Sequence, residues 1–199
     1  METVILKPQL LKTLAGDIGL WSSNTWLSKA IRFFEHLQTG SANKSHSFAC
    51  LGDDQVIEAL MRVKINDIEK YDGKDVEIWR LPLSESDRLN FKRGMLKVAG
   101  DGYGLGKIAL AAMDSLASVV GRFFGRKKPV FWFSKKFNLT SFKDCSQLIV
   151  WGLQKFTVYR LHDENHSEIS WSIVTPDYLQ DLFHLPHNKA ELIYKQKAA

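Results

Sequence analysis

The sequence predicts a single domain in which strands and helices both occur. Its 199 residues are enough for one domain with a sizeable hydrophobic core, but the chain is short for two domains. Residues 45–60 form two alternating runs around a Gly-Asp-Asp turn, which is the pattern of a β-hairpin. Residues 142–153 carry apolar side chains at helical spacing. With 45% hydrophobic and 25% charged residues, the composition is that of an ordinary globular protein.

The remaining elements follow from local patterns along the chain. Strand patterns occur at 16–21, 45–51, 55–60, 75–81 and 171–174. Helical spacing occurs at 28–37, 84–99, 105–120, 142–153 and in a short segment from residue 175. Ser84 or Ser86 is suited to cap the second of these helices, and Pro176 is suited to the first turn of the last. The tail, residues 190–199, is expected to fray.

Composition also excludes several classes of protein. The net charge of +5 comes from dispersed basic residues, so no nucleic-acid partner is expected. Two cysteines, Cys50 and Cys145, make no disulfide framework in a chain of this length, and four ligands at metal spacing are absent. The first residues lack the basic leader and apolar core of a signal peptide, and no run reaches transmembrane length. We therefore expect a cytoplasmic protein with reduced thiols, no cofactor and no metal; the alternative is a protein exported without a recognisable signal.

Cys145 is the first candidate for chemistry. The helical pattern places it in or just before the first turn of its helix, with Asp144 or Ser146 as possible caps. Free backbone N–H groups and the helix dipole favour a thiolate there, and a thiolate attacks carbonyl carbon. The alternative is that Cys145 is a small buried apolar residue, as most free cysteines are.

His46 and Glu58 are the next candidates, and the hairpin brings them together. If Leu51 pairs with Gln55, His46 lies opposite Leu60 and Glu58 is its diagonal neighbour on the same face. Diagonal neighbours are roughly 7–8 Å apart, within reach of long side chains. A slip of one residue would move Glu58 to the other face. The alternatives are a satisfied core histidine and a carboxylate that faces solvent.

Together these three residues supply the parts of a catalytic triad. Cys145 would be the nucleophile, His46 the base that takes its proton, and Glu58 the carboxylate that orients the imidazole. A catalytic cysteine needs its partners close in space and not in sequence.

The segment Asp144-Cys145-Ser146-x-Leu148 resembles the cysteine motif of the NlpC-like papain-fold superfamily, which includes bacterial cell-wall endopeptidases. Four further motifs precede the cysteine: Gly16-Asp17-Ile18, Ser45-His46-Ser47, Val56-Ile57-Glu58-Ala59 and Gly102-Tyr103. That order is similar to the circularly permuted branch, which includes putative bacterial amidases and is related to lecithin:retinol acyltransferase. The resemblance covers residues 14–156.

The resemblance implies an α+β fold in which an antiparallel sheet or partial barrel packs against the cysteine-bearing helix and accessory helices. It makes Cys145 the nucleophile, His46 the base and Glu58 the third polar residue, with Tyr103 lining the substrate site. The implied activity is hydrolysis of a peptide or acyl-amino amide bond through an acyl-enzyme. Two alternatives stay open: a lipid acyltransferase or thioesterase with an apolar wall at residues 123–137, and a binding module without turnover.

Three other patterns favour ordinary surface structure. The glycine-rich segment 100–107 lacks the Ser or Thr that follows the lysine of a phosphate loop, because Lys107 is followed by Ile108. The basic, aromatic segment 121–128 is predicted to be a solvated loop, with nucleic acid or anionic lipid as the alternative. His162 and His166 stand in a polar stretch that is typical of a solvated turn.

Overall fold

The computed structural model describes residues 12–22, 29, 43–59, 62–101, 145–171 and 174–198. In this part of the chain six strands form one sheet: β1 (Ile18–Ser22), β2 (His46–Gly52), β3 (Gln55–Ala59), β4 (Val63–Asp67), β5 (Asp75–Arg80) and β6 (Glu191–Gln196). Their spatial order is β4-β3-β2-β1-β5-β6, and every neighbouring pair is antiparallel. Three helices are described: α1 (Glu85–Leu96), α2 (Cys145–Phe156) and α3 (Pro176–His184). The fold is therefore mixed α+β with an antiparallel sheet, as the sequence predicts.

The β2–β3 hairpin has the register that the sequence predicts over most of its length. Its turn uses Asp53 and Asp54, whose φ angles of 53° and 58° are those that two-residue hairpin turns require. Gly52, expected in the turn, is instead the last residue of β2, next to a bulge. Beyond the bulge Phe48 is the partner of Glu58. Glu58 is therefore diagonal to His46, and that prediction is confirmed.

The two faces of the sheet pack against different partners. One face carries a large core that is shared with all three helices; its fully buried members include Ile18, Leu20, Ala49, Leu51, Ile57, Phe91, Leu148, Leu179 and Phe183. The other face carries a smaller core under the 3-10 turn Ile68–Tyr71; its members are Phe48, Cys50, Val56, Ile68, Tyr71, Val76, Ile78 and Tyr194. Since side chains alternate along a strand, consecutive residues of β2 point to opposite faces of the sheet.

Helices α1 and α3 begin where the sequence predicts. The Ser84 hydroxyl accepts the Asp87 N–H at 3.1 Å, and the Thr175 hydroxyl accepts the Tyr178 N–H at 3.2 Å. Each cap satisfies a backbone donor of the first turn. Pro176 occupies the first turn of α3, where its missing N–H costs nothing.

The carboxyl-terminal segment differs from the expectation. Residues 191–196 form β6 along the edge of the sheet, with Tyr194 paired to Ile78 and buried. The expectation of a frayed tail is therefore wrong over this range, because the segment obtains its hydrogen bonds from β5. The predicted helices at 28–37, apart from Lys29, and at 105–120 lie outside the described residues, as does most of the segment 100–107. Residues 172 and 173 of the expected 171–174 strand do as well.

Candidate active site

Cys145 is the first described residue of α2, and its side chain is largely buried. The apolar side of this helix, with Leu148, Ile149 and Leu153, packs into the large core against β2 and β3. Packing of α2 on the sheet therefore brings the thiol to the beginning of β2.

His46 is the first residue of β2 and lies between the other two candidates. Its Nε2 is 2.8 Å from Glu58 Oε2, and the Cys145 sulfur lies close enough to the ring to help raise the pKa of the imidazole. Only 4% of His46 is exposed. The Trp21 ring stands edge-on to the imidazole, with 5.8 Å between ring centroids. The structure therefore brings together all three residues that the sequence singles out as nucleophile, base and orienting acid.

Glu58 is buried, and four side chains donate to its carboxylate. His46 and the Tyr71 hydroxyl reach Oε2, the latter at 2.9 Å. The Asn66 amide reaches Oε1 at 2.6 Å, and the Lys70 ammonium also contacts Oε1. A buried carboxylate is stable only when it is paired and hydrogen-bonded, and this one has both kinds of partner.

The charges of the site favour an ionised carboxylate and a protonated imidazole. Burial alone would raise the pKa of Glu58, but His46 and Lys70 outweigh it and lower this pKa to about 2. Burial alone would lower the pKa of His46, but the Cys145 sulfur and the Glu58 carboxylate raise it to about 9. Near neutral pH the arrangement therefore fits an imidazolium that lies beside the Cys145 sulfur and binds an ionised Glu58 carboxylate.

An aromatic shell encloses the carboxylate side of the site. The Phe48 and Tyr71 rings are stacked with centroids 4.0 Å apart, and Trp21 meets Tyr71 edge-on at 5.5 Å. Burial and the nearby Glu58 carboxylate raise the pKa of Tyr71, which keeps its hydroxyl a donor. The shell excludes water from the His46–Glu58 hydrogen bond, which strengthens that bond.

A buried pair of hydroxyls joins the two elements that carry the thiol and the imidazole. Ser47 follows His46 and Ser146 follows Cys145, and their Oγ atoms are 3.0 Å apart. Both serines are fully buried. This hydrogen bond fixes the beginning of α2 against the beginning of β2.

Sequence reasoning missed the three side chains that join His46 around Glu58. Asn66 had a usable signal, because the alternating segment 63–67 is a strand pattern directly after the hairpin. Its Cα pairs with Val56, two residues from Glu58, so both side chains share one face. Lys70 and Tyr71 had no such signal, because a 3-10 turn brings them to the carboxylate.

Several other predictions concern residues away from this centre. Cys50 is buried in the smaller core, where burial raises the pKa of its thiol, as expected of a packing residue. Asp17 accepts hydrogen bonds from Arg80 and Arg88 and so anchors the turn before β1. Tyr103, the predicted substrate-binding residue, lies outside the described residues, and so do the segments 121–128 and 123–137.

The segment that contains His162 and His166 is a turn, as predicted. The Asp163 carboxylate accepts the N–H groups of Asn165 and Ser167 within it. Within the described ranges, no three His, Cys, Asp or Glu side chains are placed to hold a metal ion.

Comparison with known proteins identifies a similar fold. No family model matches the chain, and no curated protein does. Among solved structures, the chain is similar to the metalloprotein YiiX from Escherichia coli O157:H7, with a TM-score of 0.54. It shares the fold of YiiX. The match covers 94% of this chain and 99% of YiiX at 14% identity, so the likeness to YiiX concerns the fold alone.

None of the described helices is both long enough and apolar enough to cross a lipid bilayer.

Proposed function

We propose that this protein is a cysteine-dependent hydrolase that cleaves a peptide or acyl-amino amide bond through an acyl-enzyme. The observation that carries the proposal is the position of the His46 ring, which lies beside the Cys145 sulfur and binds the Glu58 carboxylate through Nε2 at 2.8 Å. An imidazole held between a thiol and a carboxylate is the arrangement that activates a thiol for acyl transfer.

Acylation begins with attack of the Cys145 thiolate on the amide carbonyl carbon. A C–S bond forms and the carbonyl π electrons move to oxygen, giving a tetrahedral intermediate. Backbone N–H groups near Cys145 are suited to stabilise that oxyanion. As the C–N bond breaks, His46 gives its proton to the leaving amine, and a thioester on Cys145 remains.

Deacylation uses the same groups in the opposite sense. Neutral His46 takes a proton from water, and the hydroxide oxygen attacks the thioester carbonyl carbon. The C–S bond then breaks, the acid leaves, and the thiolate–imidazolium pair is restored. Glu58 holds the imidazole orientation in both halves and stabilises its cationic form.

Two further features support a permuted NlpC-like papain fold for the domain. The histidine strand precedes the cysteine helix in the chain, as in the permuted branch that the motifs resemble. An antiparallel sheet packs directly against the cysteine helix, which is the arrangement that the resemblance implies.

The proposal is tested by trapping the acyl-enzyme. Wild-type protein and the Cys145→Ala variant are incubated with a panel of N-acyl amino acids, short peptides and their activated anilides, and intact masses are recorded after acid quenching. We expect the mass of one acyl group to be added to the wild type and not to the variant, together with release of the amine.

The same panel separates the alternatives. If fatty-acyl esters or thioesters label Cys145 while the amides do not, the amide-hydrolase proposal is wrong and the lipid enzyme is favoured. If no acyl donor labels Cys145, and it alkylates no faster than an ordinary exposed thiol, the catalytic assignment is wrong.

A further inference from the structure

Two cationic side chains bind the Glu58 carboxylate, one at each of its oxygen atoms. His46 binds Oε2, whereas the Lys70 ammonium binds Oε1. The Glu58 side chain is 1% exposed, and that of Lys70 is 31% exposed. The Lys70 ammonium also lies 5.7 Å from the centre of the Tyr71 ring, which holds it beside the carboxylate.

This arrangement has a consequence for the proton on His46. A buried carboxylate whose sole cationic partner were the imidazolium would hold that proton strongly, and the proton must leave when the amine departs. A second cation on the same carboxylate offsets part of its charge and repels the imidazolium. The two effects act in the same direction and make the proton easier to transfer.

We propose that Lys70 is a positioning residue of this site, which fixes the Glu58 carboxylate and, through its charge, keeps the His46 proton transferable. This inference rests on the proposed function, because it concerns the proton that the cysteine chemistry uses. Lys70 acts through Glu58 and does not itself contact the thiol.

Other titratable groups lie on the elements packed against the His46–Glu58 pair, and the role of Lys70 has to be distinguished from theirs. They are Cys145 on α2, Cys50 on β2, Tyr71 in the 3-10 turn, Lys74 just after it and Lys64 on β4. Lys74 lies 4.9 Å from the centre of the Trp21 ring, and Lys64 is the exposed cross-strand partner of Glu58. Among the ion pairs of the described residues, Lys70 is the lysine that binds the Glu58 carboxylate.

The experiment measures alkylation of Cys145 by iodoacetate from acidic to alkaline pH, with the modified peptide quantified by mass spectrometry. Iodoacetate is an anion, so an imidazolium beside the thiolate attracts it, and its rate falls when His46 loses its proton. The pH at the midpoint of that fall therefore gives the pKa of His46. The proteins are wild type, Lys70→Met, Lys70→Gln, Lys70→Arg and the control Lys64→Met, each checked for folding by circular dichroism.

We expect the midpoint to move to higher pH by about one unit in Lys70→Met, because no second cation then offsets the negative charge that stabilises the imidazolium. Lys70→Gln keeps a hydrogen-bond donor but loses the positive charge, so its midpoint should shift by the same amount. This variant provides the test if Lys70→Met does not fold. Lys70→Arg and Lys64→Met should keep the wild-type midpoint. A variant that only loosens the site would lower the rate at every pH and leave the midpoint in place.

Two outcomes would overturn the inference, and they differ. If the wild type shows the alkaline fall but both neutral variants keep its midpoint, Lys70 has no such role and the Cys145–His46 pair stands. If the wild-type rate rises to a plateau without any fall, as for an ordinary thiol, the proposed function fails and the role of Lys70 fails with it.

Discussion

Replacing Glu58 by Gln should remove a defined part of the acid sensitivity of this fold. The pKa of Glu58 is lowered from its ordinary value of 4.5 to about 2, against the opposing effect of burial, by His46 and Lys70. A pKa difference of this size corresponds to about 3 kcal/mol of folding free energy, at about 1.4 kcal/mol per pH unit. Because the folded pKa is the lower one, this stabilisation is complete above about pH 4.5 and is lost as the pH falls towards about 2.

The assay is urea unfolding followed by circular dichroism at a series of pH values. The free energy of unfolding of the wild type should fall by about 3 kcal/mol more than that of Glu58→Gln between pH 4.5 and 2. The variant should also be less stable at neutral pH, by about 3–5 kcal/mol, since Lys70 and His46 lose their counter-charge.

The matched control is Glu164→Gln, which changes the same functional group in an exposed turn. It should keep the wild-type pH dependence, because an exposed carboxylate in a turn contributes little. If Glu58→Gln and wild type lose stability in parallel on acidification, Glu58 is not the paired, ionised carboxylate described above.

Three further substitutions test the surroundings of the site. Tyr71→Phe should cost about 1.5–3 kcal/mol in urea unfolding, because it removes a hydrogen bond to a buried charge; a cost near zero would contradict that bond. Ser146→Ala leaves the Ser47 hydroxyl buried without this partner, so it should cost about 1–3 kcal/mol and slow Cys145 alkylation; alkylation at the wild-type rate would contradict a role in placing the thiol. Gly19→Ala places a Cβ 1.9 Å from Phe48 Cζ and should lower the Tm by several degrees, an effect that an unchanged melting curve would refute.

The sequence predicts the parts of this fold that depend on neighbouring residues. The hairpin follows from alternation around Asp53 and Asp54, and its register places Glu58 diagonal to His46. The cap at Ser84 follows from the preference of hydroxyl side chains for the N-terminus of a helix, and the start of α3 follows from the suitability of Pro176 for a first turn. Each of these signals lies within a few residues of the feature that it predicts.

What the sequence does not predict depends on distant partners. Strand β6 gains its stability by pairing Tyr194 with Ile78, which lies more than a hundred positions earlier, and nothing in residues 191–196 indicates that partner. Lys70 and Tyr71 reach Glu58 because a 3-10 turn folds back over the hairpin. The second half of the carboxylate site therefore appears only with the tertiary structure.

The most direct test of the whole account is the rate at which iodoacetamide alkylates Cys145 at neutral pH in wild type and in His46→Ala. If the imidazolium stabilises a thiolate, folded wild type should react faster than the same cysteine in the urea-unfolded chain, and His46→Ala should be slower by about tenfold or more. Glu58→Gln should be slowed less, because the imidazole is still present. Equal rates in the three folded proteins would contradict the account.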